Sequence, residues 1–124
     1  MKILVVDDES DMQALFEQKF RKEIRAGEMA FFFAFSGEQA LDYLDHHLHE
    51  AVLILSDINM PGMSGLELLK AIKTHYENPP PTVMMITAYG DPENHQQALS
   101  LGADDFLTKP IDFILLKEKL KAVS

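Results

Sequence analysis

The sequence predicts an α/β protein: a (βα)5, doubly wound sheet of five parallel strands with helices on both faces. Three observations lead there. Five short apolar runs alternate with segments whose apolar residues recur at helical spacing. The runs are continuously apolar rather than alternating, as strands covered on both faces must be. The connections are short, so right-handed crossovers lay successive strands parallel.

The elements follow in order along the chain. Lys2–Val6 is the first strand, and Met12, Leu15, Phe16, Phe20 and Ile24 form the stripe of one long first helix. Met29–Phe35 is the second strand, followed by a helix with Leu41, Leu44 and Leu48 on one face. Val52–Ser56 leads to a third helix whose stripe is Leu66, Leu69, Ile72 and Tyr76. Thr82–Thr87 leads to a short fourth helix around Gln96–Leu101, with Gly102 where a C-capping glycine belongs. Asp104–Thr108 is the last strand, and Ile111–Val123 is a helix carrying Phe113, Leu116, Leu120 and Val123. Three helix starts show the same capping box: Ser10 with Gln13, Ser36 with Gln39, and Ser64 with Glu67.

Bulk properties narrow the function classes. A length of 124 residues suits one domain spanning 1–124. Twenty acidic against eleven basic residues give a net charge of −9, which disfavours nucleic acid and anionic membrane as partners. The absence of cysteine excludes disulfides, thiolate metal sites and thiol nucleophiles. The apolar runs Met29–Phe35 and Ala51–Leu55 fall far short of the ~20 residues that span a bilayer. The N-terminus lacks the cleavage signature of a secreted protein, so a cytoplasmic location is expected.

In a sheet of this kind the ligand site lies beyond the carboxyl ends of the strands. Asp7-Asp8-Glu9 ends the first strand, Asp57 the third, Thr87 the fourth and Lys109-Pro110 the fifth. Clustered carboxylates repel one another unless a cation relieves them, and hard oxygen ligands suit Mg²⁺, with Mn²⁺ as a substitute. A carboxylate held in this way can attack a phosphoryl group. A hydroxyl and an ammonium at the same edge can neutralise phosphoryl oxygens during transfer.

Taken as an ordered set, Asp7-Asp8, Asp57-Ile58-Asn59-Met60-Pro61-Gly62, Thr87-Ala88 and Lys109-Pro110 resemble the response-regulator receiver family of two-component signalling. The resemblance covers essentially the whole chain. It implies the flavodoxin-like strand order 2-1-3-4-5. It also implies a phosphorelay switch rather than an enzyme: Asp57 accepts a phosphoryl group from a histidine kinase or a histidine phosphotransfer protein. Asp7, Asp8, Asp57 and the backbone carbonyl of Asn59 would hold Mg²⁺, and Lys109 and Thr87 would contact the phosphoryl group. Thr87 and Phe106 would form the conformational switch toward an output domain or partner protein. The Lys109–Pro110 bond would be cis, and Asn59 and Tyr89 would flank the path of the water that removes the phosphate.

Other readings of the same architecture fit less well. A flavodoxin-like electron carrier needs a phosphate cradle where this chain has Asp7-Asp8-Glu9. A phosphatase of the haloacid-dehalogenase type places its nucleophile in an Asp-x-Asp motif after the first strand, and position 9 here is Glu. A receiver-like scaffold that has lost phosphorylation would not need every marker residue.

Four further features carry blander expectations. Asp45-His46-His47-Leu48-His49-Glu50 reads as solvated loop rather than a zinc site. The run Phe31–Phe33 with Phe35 reads as a covered strand, and Asn78-Pro79-Pro80-Pro81 as a stiff spacer. Ile114 and Leu115 lie beside the stripe of the last helix and form a candidate homodimer or partner patch.

Overall fold

The structure, a computed structural model, describes residues 1–47, 50, 52–76, 80–88 and 91–123, with Val52 placed by its backbone alone. Expectations that fall on Leu48, His49, Ala51, Asn78, Pro79, Tyr89 and Ser124 lie outside the described residues.

The strands are β1 (Lys2–Val6), β2 (Ala30–Ala34), β3 (Val52–Asp57), β4 (Thr82–Thr87) and β5 (Asp105–Thr108). They form one sheet in the order β2-β1-β3-β4-β5, and every pair is parallel. The helices are α1 (Asp11–Lys19), α2 (Arg21–Arg25), α3 (Gly37–Asp45), α4 (Gly65–His75), α5 (Pro92–Ser100) and α6 (Phe113–Val123).

Alternate residues of each central strand feed two cores, one on each face. Leu4, Val6, Ile54, Val83 and Met85 pack with Leu44 of α3, Leu68, Leu69 and Ile72 of α4 and Ala98 of α5. Ile3, Val5, Leu55, Met84, Ile86 and Leu107 pack with Phe16, Phe20, Leu116 and Leu120 from the α1 and α6 side. The central strands β1, β3 and β4 are apolar along most of their length because both of their faces are covered. The two edge strands are exceptions: Phe31, Phe32 and Phe33 of β2 and Asp105 and Phe106 of β5 are only half-buried, and Thr108 is exposed.

The first helix is not continuous. Phe20 adopts φ −110° and ψ 19°, which separates α1 from α2. The break turns its fully buried ring onto Phe16 and Phe31, with ring centroids 5.9 and 4.8 Å away. Backbone bonds from Phe20 N–H to Phe16 and from Ile24 N–H to Phe20, both 2.9 Å, bridge the kink. Beyond it the stripe rotates outward, so Ile24 is exposed and Glu23 is buried instead, paired with Lys117 at 3.0 Å. At the far end of the chain Val123 is also exposed, because the stripe of α6 outlasts the core beneath it.

The three expected capping boxes turn out unequal. Ser64 accepts from Glu67 N–H at 3.2 Å and Glu67 accepts from Ser64 N–H at 3.5 Å, a complete box. Ser36 accepts from Gln39 N–H, but the Gln39 side chain accepts from Phe35 N–H instead. Ser10 makes no side-chain cap, because its backbone is already helical at φ −62° and ψ −23°, which turns the hydroxyl away from the end amides. Gly102, at φ 98°, closes α5 as expected. Its N–H reaches Leu99 and that of Ala103 reaches Ala98, the paired bonds of a Schellman motif.

Ser64→Ala is therefore expected to lower the free energy of unfolding by about 1 kcal/mol. Ser10→Ala should change it by less than about 0.5 kcal/mol. Urea denaturation of the two variants beside the parent checks the contrast.

Candidate functional site

The sheet register builds the site. Val6 lies opposite Ser56, so the next residues, Asp7 and Asp57, leave the carboxyl edge side by side. Asp57 pairs with Ile86, which brings Thr87 to the same edge, and Thr87 pairs with Thr108, one residue before Lys109. The parallel arrangement thus gathers residues up to 102 positions apart, from Asp7 to Lys109, at one edge.

Asp7, Asp57 and Thr87 are buried, whereas Asp8 is exposed. One ligand oxygen each from Asp7, Asp8 and Asp57 lie within 4.8 Å of one another. Lys109 Nζ donates to Asp57 Oδ2 at 2.8 Å and stands 4.0 Å from Asp7 Oδ2. Asp7 Oδ1 accepts from Glu9 N–H at 2.9 Å, while its Oδ2 is buried without a hydrogen-bond partner among the described residues. Burial raises the Asp7 pKa above the usual carboxylate value, the Glu9 amide opposes this, and the neighbouring Asp57 charge adds to it. For Lys109 burial works against the ammonium. The Asp57 hydrogen bond and the charges of Asp57, Asp7 and Glu9 outweigh burial and raise its pKa.

An orphaned, buried carboxylate oxygen facing two further carboxylates is a site that a small hard cation fits. Asn59 lies in the loop after β3, two residues beyond Asp57, and is exposed. The Lys109–Pro110 peptide bond is cis.

Thr87 and Phe106, the residues expected to form the switch, contact other partners. The Thr87 hydroxyl donates to the Leu107 carbonyl at 3.4 Å, toward β5. The half-buried ring of Phe106 stacks on His95 of α5, with centroids 3.9 Å apart and planes at 30°.

Two contacts here were missed from the sequence. The first is Gly65, at the start of α4. A Cβ built there would stand 2.0 Å from the Asp57 carbonyl oxygen and 2.7 Å from Ile58 Cα. Only glycine lets α4 approach the end of β3 so closely, and Gly65 N–H uses that approach to bond the Ile58 carbonyl at 2.7 Å. A glycine directly after a capping serine was the available signal. The second is His95, whose partner lies on another element and so leaves no trace in local spacing.

A model of the response regulator receiver domain family matches residues 3–121. The chain belongs to this family. It is 37% identical over 123 residues to response regulator RppA of Synechocystis sp., covering 99% of this chain and 50% of that protein. It is 37% identical over 120 residues to sporulation initiation phosphotransferase F of Bacillus subtilis, covering 97% of this chain and 90% of that one. The chemotaxis protein CheY4 of Vibrio cholerae superposes with a TM-score of 0.81 at 27% identity, covering 99% and 98% of the two chains. This receiver domain spans about half the length of some curated relatives, RppA among them.

Two expectations follow for the site of this receiver domain. In the unfolded chain Asp7 ionises near the ordinary value of 3.8, whereas in the fold it holds its proton to higher pH. Stability from this group is therefore fully present below 3.8 and lost as pH rises through the higher folded value. Asp7→Asn should raise the urea midpoint at pH 7 (about neutral, where the parent bears this cost) without divalent cation, and should diminish the gain that Mg²⁺ gives the parent. Separately, Gly65→Ala should destabilise the fold by roughly 1–3 kcal/mol, because the methyl group must displace the Asp57 backbone. Denaturation curves with and without Mg²⁺ measure both.

Proposed function

We propose that residues 1–124 act as one phosphorylatable switch whose phosphoacceptor is Asp57. The observation that carries this reading is the buried Asp57 carboxylate, hydrogen-bonded to Lys109 at 2.8 Å and flanked by Asp7 and Asp8. A phosphohistidine on a histidine kinase or a histidine phosphotransfer protein is the donor. An Asp57 oxygen attacks phosphorus, the phosphorus–nitrogen bond breaks, and the imidazole leaves with the bonding electrons. Asp7, Asp8, Asp57 and the Asn59 carbonyl would hold Mg²⁺ or Mn²⁺, which when bound offsets the crowded negative charge and polarises phosphoryl oxygens.

The other residues of the chain prepare and read the transfer. Lys109 keeps Asp57 oriented before transfer, and then pairs with the phosphoryl oxygens. Thr87 exchanges its bond to the Leu107 carbonyl for one to the phosphoryl group. That shift at β4 frees room for the Phe106 ring to turn inward from His95, changing the surface formed by α5, β5 and α6. The Phe ring has no hydroxyl to keep hydrated, so the inward position carries no unpaired polar group.

Asn59 and Tyr89 set how long the phosphate survives by shaping the approach of water. The chain is a stoichiometric switch in a two-component phosphorelay in the cytoplasm, not a turnover enzyme. Among the described residues no helix is long and apolar enough to cross a membrane. Output passes to a linked domain or a partner protein. Exposed Ile114 and Leu115, at 76% and 43%, support a partner or homodimer patch on α6.

Incubation with acetyl phosphate and Mg²⁺ should yield a single acid-stable, base-labile phosphoryl adduct by intact mass. Asp57→Ala should abolish it, and Lys109→Ala should slow its formation by on the order of 100-fold. Thr87→Ala should still accept the phosphoryl group but lose the phosphorylation-dependent shift of the Phe106 and His95 resonances in NMR. An adduct that persists in Asp57→Ala, or steady turnover of small phosphoesters, contradicts the reading.

A further inference from the structure

The chain is strongly acidic, yet its charges are segregated. A concave corner of about 420 Å³ lies between the α1–α2 junction and α6. Five of the chain's eleven Lys and Arg line it: Lys19, Arg21, Lys22, Arg25 and Lys117. Glu23 is the one acid in the lining, and it is spent on Lys117 at 3.0 Å. That bond, ahead of the opposing effect of burial, lowers the Glu23 pKa and keeps it ionised under Lys117.

Arg21, Lys22 and Arg25 make no ion pair with an acid among the described residues. All three sit on the five-residue helix α2, with Arg21 and Arg25 spaced i,i+4 and Lys22 and Arg25 spaced i,i+3. Like charges at those spacings repel, and among the described residues no acid lies within ion-pair distance of the three. An acidic ligand seated in the corner would offset that repulsion.

The corner is remote from the acids. Glu28 and Met29 N–H both bond the Glu23 carbonyl, and Ala30 then starts β2, so α2 sits at the amino edge of the sheet. Asp7 and Asp57 stand at the carboxyl edge, one strand length or roughly 17 Å away. An occupant here leaves the phosphoacceptor open.

From this charge arrangement we infer that the α1–α2–α6 corner is a docking site for a short acidic peptide segment of a partner protein. The size of the corner and the remaining surface select this occupant. An extended polyanion, whether nucleic acid or lipid surface, would reach past the corner and meet a protein whose overall charge is −9. A few carboxylates on one peptide satisfy Arg21, Lys22 and Arg25 without that penalty.

The test uses the whole chain and a fluorescein-labelled hexaglutamate peptide, read by fluorescence anisotropy at low ionic strength. Binding is expected to weaken with added salt. Arg21→Glu/Lys22→Glu should weaken it by at least roughly tenfold, while Lys70→Glu, at an exposed lysine of α4, should leave it unchanged. Amide shifts in the parent should localise to residues 18–25 and Lys117. Labelling of the double variant by acetyl phosphate should match the parent, which separates this site from the function of Asp57. Absent peptide binding, an equal loss in Lys70→Glu, undiminished binding in the double variant, shifts centred elsewhere, or tighter binding of an oligonucleotide of equal charge would each overturn the inference.

Discussion

Two carboxylates leave the carboxyl edge of the sheet on adjacent strands, and a single ammonium faces both. Asp7 and Asp57 come from β1 and β3, and Lys109 reaches them from beyond β5 at 4.0 and 2.8 Å. Each acid is buried, so neither has much water to offset its charge. Lys109 hydrogen-bonds Asp57, and Asp7 Oδ2 is left without a hydrogen-bond partner. The fold thus holds an electrostatic imbalance that it does not relieve internally. Such an imbalance costs stability, and it suits the cation and phosphoryl group proposed for this site. The packing around it serves to keep it in place. Gly65 lets α4 close over the end of β3, and both cores clamp β1, β3 and β4 so that the register cannot slip.

Much of this was legible in the sequence because the signals were local or periodic. Continuous apolar runs marked all five strands, with β2 and β5 each one or two residues shorter than expected. The fold class then placed Asp7, Asp57, Thr87 and Lys109 at one edge, since a parallel sheet has only one carboxyl edge. Signals that depend on three-dimensional packing were not legible. The Ser10 box matched in composition and failed in geometry, because a capping side chain works only from a non-helical backbone. The kink at Phe20 could not be read from a stripe that continues through it, and it reversed the expected places of Glu23 and Ile24. The stacking of His95 on Phe106 joins two elements with no shared sequence signature.

Net charge was informative about the average surface and silent about its distribution. A value of −9 correctly describes the whole chain, but five of its eleven cations converge where α1, α2 and α6 meet. Electrostatic steering depends on such local fields as much as on the total. The acidic site at one edge of the sheet and the basic corner at the other give the molecule two faces of opposite character.

The central claim concerns which carboxylate becomes the acyl phosphate, and reductive trapping addresses it most directly. Borohydride reduces an aspartyl phosphate to homoserine, which peptide mass spectrometry then locates in the sequence. After phosphorylation with acetyl phosphate and Mg²⁺, homoserine should appear at position 57 alone, in the peptide containing Ser56 and Ile58. Homoserine at position 7 or 8, or a stable phosphoryl group with no homoserine at all, would contradict the account.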